Sequence, residues 1–352
     1  MVRVLYVCRG VDDDDPFTGV QAAWIRALAA HPAVDSVHVL ARFASAVDLP
    51  DNVTVRTFGR ARGRMRRFMR EVVRTPRPRP DVFLVTQGGP WPLLLLPFKL
   101  VMRRPVFQWL AQPVLSGRTR VAMALADDGV FTATAGSLPS GVKRVHVVGH
   151  GIDVARFQPA GDDSQRRDIV VVGRISPAKG IEQMLVAFAA AAARYGLEGN
   201  LDIIGRSGAA NRDYLARIEA TVARLGLAGR VRFLGAVSYA EMPQAVARYS
   251  LALNFSSTAL DKAVVEAMSA GVPVLATNRC VAEILPADLA SRLVVDAGDV
   301  DAQARAMSEL VALDGQARRD LAAQLRAIVV EGHSVEHLFD AMLGVITASR
   351  SG

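Results

Sequence analysis

The sequence predicts an α/β protein of two doubly wound domains, each built on a parallel β-sheet. Short runs rich in β-branched residues alternate with longer helical patterns along the chain, as strands and helices do in such sheets. The length of 352 residues favours two domains of ordinary size. A polar stretch without periodicity, residues 159–164, interrupts the pattern near its middle and is the candidate linker.

Each predicted strand is a short apolar run. In the first half these runs are Val2–Val7, Val37–Leu40, Val53–Phe58, Val82–Thr86, Val106–Trp109, Val130–Thr134 and Val145–Val148. In the second half they are Ile169–Val172, Leu201–Ile204, Val231–Leu234, Leu251–Phe255, Val272–Ala276 and Arg292–Val295. They predict domains over residues 1–157 and 158–334, with a last helix over 335–348 that packs back on the first domain. Since such sheets bind ligands beyond the carboxyl ends of their strands, we expect the domains to face a cleft.

Composition excludes several protein classes. Hydrophobic residues make up 51% and charged residues 22%, which are values of a folded chain. Cys8 and Cys280 lie far apart in apolar runs, so we expect buried free thiols and neither a disulfide framework nor a metal site. The N-terminal apolar run is too short for a signal peptide, and the stretch Trp91–Met102 is shorter than the roughly 20 residues of a membrane span. We therefore expect a cytoplasmic protein.

The positive charge is concentrated in one segment. Between Arg56 and Arg104 twelve arginines and Lys99 face Glu71 and Asp81, a net charge of +11 in a chain whose total is +8. Such a segment suits an anionic partner, phosphates or a phospholipid surface, and does not suit a protein that coats nucleic acid.

The known glycine motifs for nucleotides are absent from the predicted strand-to-helix turns. Neither domain carries Gly-x-Gly-x-x-Gly after its first strand, which disfavours a nicotinamide or flavin cofactor. Residues 173–180 resemble a P-loop in part, but Ala178 replaces its second glycine and Gly180 the Ser/Thr that would hold magnesium. A phosphate-hydrolysing P-loop is therefore not predicted.

The same turn nevertheless places two cations at the start of a helix. Gly173 and Arg174 follow a strand, and Lys179 precedes the helix predicted from Ile181. The positive end of a helix favours an anion, and an arginine fork with a lysine ammonium would complete a diphosphate clamp. Only four of the 42 basic residues are lysines, so a lysine here suggests a specific role. The alternative is that Lys179 and Lys262 are ordinary solvated residues at helix starts.

Lys262 and Glu266 form a second polar pair, and they lie one turn apart on a predicted helix. Glu266 lies among apolar residues on a short predicted helix. Its carboxylate either pairs with Lys262 for structure or accepts hydrogen bonds from a diol such as ribose. Because charged residues are rarely buried without a partner, we favour the ligand interpretation.

Six segments follow one another in a recognisable order. They are Gly149-His150-Gly151-Ile152-Asp153, Gly173-Arg174, Lys179-Gly180, Leu201–Gly205, Val231–Gly235 and Glu266–Val274. In this order and spacing they resemble the family 4 glycosyltransferases of the GT-B fold, in which two Rossmann-like domains face a cleft. The resemblance implies transfer of a hexose from a nucleotide diphosphate sugar to an acceptor hydroxyl, with retention. Because two cations and a helix terminus would balance the diphosphate charge, we expect no metal or other cofactor. The acceptor would be a sugar, a lipid-linked sugar or a small molecule.

The resemblance also implies roles for matched residues. Arg174 and Lys179 would bind the donor diphosphate and Glu266 the ribose, and these three form the predicted catalytic set. The remaining predicted substrate contacts are Gly19, Gln112, Gly173, Thr258, Asp261 and Lys262.

Two of these positions differ from the family pattern and favour an alternative. Thr258 stands where the family carries the first glutamate of a pair, and Gln112 stands where it often carries a histidine. Both changes favour a non-catalytic subunit that binds a nucleotide sugar. A sugar-nucleotide epimerase of the same fold is a further alternative.

Residues 12–15 are four consecutive aspartates in the first strand-to-helix loop. They contain the Asp-x-Asp pattern of metal-dependent glycosyltransferases, but those enzymes have a different fold. We interpret them as a solvated loop; the alternative is a loop that selects the acceptor.

Residues 62–74 predict a basic amphipathic helix. Its apolar stripe consists of Met65, Phe68, Met69, Val72 and Val73. Its other faces carry Arg62, Arg64, Arg66, Arg67, Arg70 and Arg74. Either the stripe packs on the first sheet with the arginines solvated, or the helix attaches the protein to the inner face of an anionic membrane.

Overall fold

The computed structural model of the chain divides into two compact units. Unit 1 comprises Met1–Gly151 and His333–Gly352, and unit 2 comprises Ile152–Gly332. The residues described are 1–16, 18–59, 61–75, 77–86, 88–161 and 166–351. Part of the predicted linker, residues 162–164, therefore lies outside the described residues.

In the described part of unit 1, seven parallel strands form one sheet. They are β1 (Val2–Cys8), β2 (Val34–Ala41), β3 (Val53–Thr57), β4 (Val82–Val85), β5 (Val106–Trp109), β6 (Gly129–Thr132) and β7 (Val145–Val147). Their order is β3-β2-β1-β4-β5-β6-β7. The connecting helices are α1 (Gly19–Ala30), α2 (Arg64–Val73), α3 (Trp91–Met102) and α4 (Gly117–Leu125). The strands β4 and β6 are buried along their whole length, because helices cover both faces of a parallel sheet.

Unit 2 repeats the plan on a smaller scale, with five parallel strands among its described residues. These are β8 (Ile169–Val172), β9 (Leu201–Ile204), β10 (Val231–Gly235), β11 (Leu251–Asn254) and β12 (Val274–Ala276), in the order β10-β9-β8-β11-β12. Its helices are α5 (Ile181–Tyr195), α6 (Arg212–Arg224), α7 (Met242–Ala247), α8 (Lys262–Ser269), α9 (Arg279–Ala282), α10 (Ala287–Leu293), α11 (Val300–Val311) and α12 (Gly315–His333). In both sheets the winding reverses beside the first strand, which is where doubly wound sheets bind ligands.

The division of the chain differs from the predicted one at both ends of unit 2. Phe157 is buried in unit 2, where its carbonyl accepts hydrogen bonds from Ser269 Oγ at 2.8 Å and Arg326 Nη1 at 2.7 Å. At the other end, His333 belongs to unit 1 and not to the second domain. Its Nδ1 atom accepts a hydrogen bond from the backbone N–H of His150 at 3.2 Å. The last helix, α13 (Val335–Ser351), packs in unit 1 through Phe339 against Trp24 of α1, with ring centroids 6.2 Å apart.

The predicted strand Arg292–Val295 is wrong. Arg292 and Leu293 end helix α10, in which Leu289 and Leu293 are buried one turn apart, and Val294 forms an isolated bridge with Ala276. The other twelve predicted strands are confirmed, with shifts at their ends.

Two expectations from composition can be compared with the structure. Cys8 and Cys280 are buried free thiols, as predicted. Within the described residues, each helix is either too short or too polar to cross a bilayer.

Candidate functional site

The candidate site of unit 2 lies beside the point where its sheet reverses its winding. β8 and β11 are parallel neighbours, so their carboxyl ends meet at one edge. Residues 173–180, here called loop A, follow β8 and lead into α5; residues 255–261, called loop B, follow β11 and lead into α8. The fold therefore brings together the two motifs that the sequence singled out.

Loops A and B pack directly on each other. The backbone N–H of Ser257 donates to the Ala178 carbonyl at 3.2 Å. Gly180, the N-cap of α5, has φ of +66°, and a Cβ added there would lie 2.4 Å from the Phe255 carbonyl oxygen. Glycine is thus required at this position both by backbone conformation and by lack of space.

Lys179 occupies the contact between the loops. Its ammonium pairs with Asp261 Oδ2, and the Asn254 amide donates to the same oxygen at 3.1 Å. The Asn254 Oδ1 atom is buried without a hydrogen-bond partner among the described residues. Because an ammonium has three protons, Lys179 keeps donors for an anion just before the first turn of α5. The sequence did not predict that Asp261 and Asn254 would hold this lysine.

Lys262 and Glu266 form the predicted pair on α8. Their Nζ and Oε1 atoms are 2.6 Å apart, and the same ammonium lies 4.3 Å from the centroid of the Tyr239 ring. Glu266 is only 2% exposed, and burial raises its pKa, while the attraction of Lys262 acts in the opposite direction. Lys262 is thus a partner of the buried Glu266, as the first interpretation predicts, and the ligand interpretation stays a prediction. The second carboxylate oxygen can still accept hydrogen bonds from a diol.

Thr258 is fixed within loop B. Its hydroxyl lies 2.7 Å from Ser256 Oγ, and its carbonyl accepts from Asn278 Nδ2 at 2.9 Å. Asn278 also caps α9 by accepting the N–H of Cys280 at 3.0 Å. Asparagine is a common N-cap residue, but the contact of Asn278 with loop B depends on the fold.

Loop A holds two further predicted site residues, Arg174 and Gly173. Arg174 is exposed and has no ion pair within the part of the chain that the structure describes. Gly173 has φ of +148°, and a Cβ added there would lie 3.3 Å from Lys179 Cε. The guanidinium is thus available to an anion, and the glycine leaves room for the lysine stem.

Gly19 and Gln112 lie in unit 1, after the carboxyl ends of β1 and β5. Gly19 is the buried first residue of α1, whose N-cap Thr18 donates its backbone N–H to Asp15 Oδ1 at 2.8 Å. Gln112 is exposed beside Gly88.

The aspartate run 12–15 is partly engaged within unit 1. Asp13 forms a two-bond ion pair with Arg26 of α1, at 2.9 and 2.5 Å. Among the described residues, no group of three or more His, Cys, Asp or Glu side chains is placed to hold a metal ion.

Comparison with solved structures reveals relatives of the same fold. HepE from Anabaena, solved with UDP and glucose, shares 17% identity over 99% of this chain and 100% of its own, with a TM-score of 0.75. Sucrose-phosphate synthase from Thermosynechococcus elongatus shares 16% over 100% of both chains, also with a TM-score of 0.75. A glycosyltransferase from Rickettsia africae shares 9% over 99% of this chain and 98% of its own, with a TM-score of 0.69. These likenesses confirm the predicted fold class, two Rossmann-like parallel-sheet domains of the GT-B type.

Sequence comparison gives the family. No curated protein matches the chain. The family described as glycosyl transferases group 1 matches residues 155–327, which hold loops A and B and every residue discussed for unit 2. Residues 155–327 are therefore similar to a group 1 glycosyl transferase domain, which confirms the resemblance to glycosyltransferases of the GT-B fold, while the family 4 assignment stays a prediction.

Proposed function

We propose that this protein is a retaining glycosyltransferase that moves a hexose from a nucleotide diphosphate sugar to an acceptor hydroxyl. The observation that carries the proposal is Lys179, held by Asp261 just before α5, with Arg174 exposed on the same loop. Two cations and a helix N-terminus together suit a diphosphate. The group 1 glycosyl transferase match supports the reaction class, and HepE, solved with UDP-glucose, supports a UDP-sugar as donor.

In the proposed reaction, the bond between the anomeric carbon and the diphosphate oxygen breaks, and its electron pair leaves with the nucleotide diphosphate. Arg174, Lys179 and the N-terminus of α5 stabilise the negative charge that develops there. The acceptor oxygen forms the new bond to the anomeric carbon, and its proton is released to solvent. Glu266 uses the carboxylate oxygen that does not face Lys262 to hold the ribose hydroxyls.

Incubation of the purified protein with UDP- and GDP-sugars tests this function, with products followed by NMR. We expect one donor to be consumed, slowly by hydrolysis without an acceptor and faster by transfer with one, and the transferred sugar to keep its anomeric configuration. Formation of an epimer would instead identify an epimerase. If the protein binds a donor but turns it over with none of the acceptors supplied, it is a non-catalytic subunit.

We predict that chelation of metal ions leaves transfer intact. Two side-chain cations and the α5 N-terminus already balance the diphosphate, and Asp13 is bound to Arg26. Rates measured with excess EDTA and with added Mg²⁺ or Mn²⁺ should agree within about twofold, well below the effect of losing a catalytic metal. Strict dependence on either ion would assign residues 12–15 to a metal site.

The structure bears on the two interpretations of the basic helix. In α2, Phe68 and Val72 are buried in the core of unit 1, whereas Met65 and Val73 are 40% and 56% exposed. Arg67 donates to the Phe58 carbonyl, and Arg70 and Arg74 pair with Glu71. The apolar stripe is thus used in part for packing, as the first interpretation requires.

Three arginines remain for an external anion. Arg62, Arg64 and Arg66 are exposed and have no ion pair among the described residues. We propose that they contact an anionic membrane surface, each contributing about 1 kcal/mol to binding.

Vesicle co-sedimentation tests the membrane contact. We expect the protein to pellet with phosphatidylglycerol vesicles at low salt and to be released at high salt. Replacing Arg62, Arg64 and Arg66 by serine should weaken binding at least about tenfold. A matched control replaces three exposed arginines of α6, Arg212, Arg217 and Arg224. Equal loss in both triple variants, or no pelleting at low salt, would contradict the contact.

A further inference from the structure

Unit 1 contains a cavity that its predicted site residues do not line. It has a volume of about 440 Å³ and lies at the amino ends of β6 and β7, with α4 as one wall. Gly19 and Gln112 follow the carboxyl ends of strands in the same parallel sheet, at the opposite edge. The size is within the range of small-molecule sites, roughly 300–1,000 Å³.

A buried carboxyl group that lacks a hydrogen-bond partner among the described residues lines this cavity. Asp127 is 2% exposed, and neither of its oxygens has a hydrogen bond among the described residues. Burial raises its pKa to about 7, Asp128 adds to the shift, and Lys99 and Arg144 oppose it.

Two other buried aspartates show what a structural carboxylate needs in this protein. Asp81 accepts from Arg3 Nε at 2.9 Å, and Asp202 accepts from Arg232 Nε at 2.5 Å and from the Tyr249 hydroxyl at 2.6 Å. Because an unsatisfied buried carboxyl destabilises the folded state, Asp127 serves no evident purpose in folding. A ligand that donates a hydrogen bond would satisfy it.

The remaining lining residues indicate which other groups such a ligand would carry. Three buried apolar side chains line the cavity, those of Leu115, Met123 and Val130. Arg120, Lys143 and Arg144 also line the cavity, and all three residues are exposed. Three cations, two of them arginines, suit the oxygens of a phosphate group.

We propose that this cavity binds a hydroxyl-bearing organic phosphate, separate from the donor site. A hydroxyl of the ligand donates to the Asp127 carboxylate, and the phosphate pairs with Arg120, Lys143 and Arg144. This chemistry is shared by free glycerol phosphate and by the headgroup of phosphatidylglycerol.

Calorimetric titration of the full chain tests the proposal with glycerol 3-phosphate, monomeric dihexanoyl phosphatidylglycerol and inorganic phosphate. We expect one of the first two to bind, which also identifies the source, and inorganic phosphate to bind at least about tenfold more weakly because it lacks the carbon-borne hydroxyl. Arg120→Ala should weaken binding about tenfold or more. Arg118→Ala is the matched control, since Arg118 is exposed on the same helix and does not line the cavity.

Asp127→Leu separates a ligand role from a structural one. An apolar side chain replaces an unsatisfied buried carboxyl, so the melting temperature should rise while binding falls about tenfold or more. A lower melting temperature with unchanged binding would show that Asp127 is structural and overturn the proposal. Failure of both organic phosphates to bind, or equal binding of inorganic phosphate, would overturn it as well.

Discussion

Replacing Lys179 by alanine is expected to lower the turnover rate about 100-fold or more, as does the loss of one preorganised donor to a developing anion. The ammonium is positioned before α5 by Asp261, which Asn254 holds from the adjacent strand end. Its contribution is expected in the transition state, when the leaving diphosphate gains charge. Turnover at saturating donor, in donor hydrolysis or in transfer, is the quantity to measure.

Arg194→Ala provides the control for this variant. Arg194 is an exposed cation in the last turn of the same helix and pairs with Asp301 at 2.9 Å. Its loss should change turnover by less than about twofold, because Arg194 lies at the opposite end of α5 from Lys179. The stability of the protein should also change little, since an exposed ion pair contributes little to it. A Lys179→Ala protein that melts like the unaltered protein and turns over at the same rate would refute the clamp.

The fold was largely predictable because its strands are short apolar runs that lie between helices. β8, for example, begins and ends at the predicted residues, Ile169 and Val172. Prediction failed at residues 292–295, where the β-branched pair Val294 and Val295 follows a helix instead of forming a strand. Burial of Leu289 and Leu293 one turn apart fixes that helix, and this depends on what α10 packs against.

The candidate site was predictable only where spacing along one helix determines contact. The four-residue separation of Lys262 and Glu266 predicts their ion pair, which the structure contains. The pairing of Lys179 with Asp261 spans 82 residues and depends on β8 and β11 being neighbours in the sheet. No local pattern specifies that order, and so Asp261 was predicted to contact substrate and not to position the lysine.

Gly180→Ala is expected to push loops A and B apart. Gly196→Ala, at the other end of α5, is its matched control. Gly180 and Gly196 cap the two ends of this helix with nearly identical backbone angles, φ 66° and ψ 27° against φ 65° and ψ 27°. A Cβ at Gly180 would lie 2.4 Å from the Phe255 carbonyl oxygen, whereas a Cβ at Gly196 meets no heavy atom of the described residues within 4 Å. The two substitutions therefore share the cost of the left-handed conformation and differ in the steric clash.

Gly196→Ala should reduce the free energy of unfolding by about 1–2 kcal/mol, the cost of a left-handed alanine. Gly180→Ala adds overpacking against loop B, for a total of about 2–5 kcal/mol. Because the clash moves Lys179 relative to Asp261, turnover should also fall about 100-fold in Gly180→Ala, as expected for a misplacement of about 1 Å, and remain nearly unchanged in Gly196→Ala. Urea unfolding and donor turnover of the two variants give both comparisons. Equal losses of stability would show that loop B yields to the added carbon, and equal turnover would show that the contact between the loops does not position the lysine.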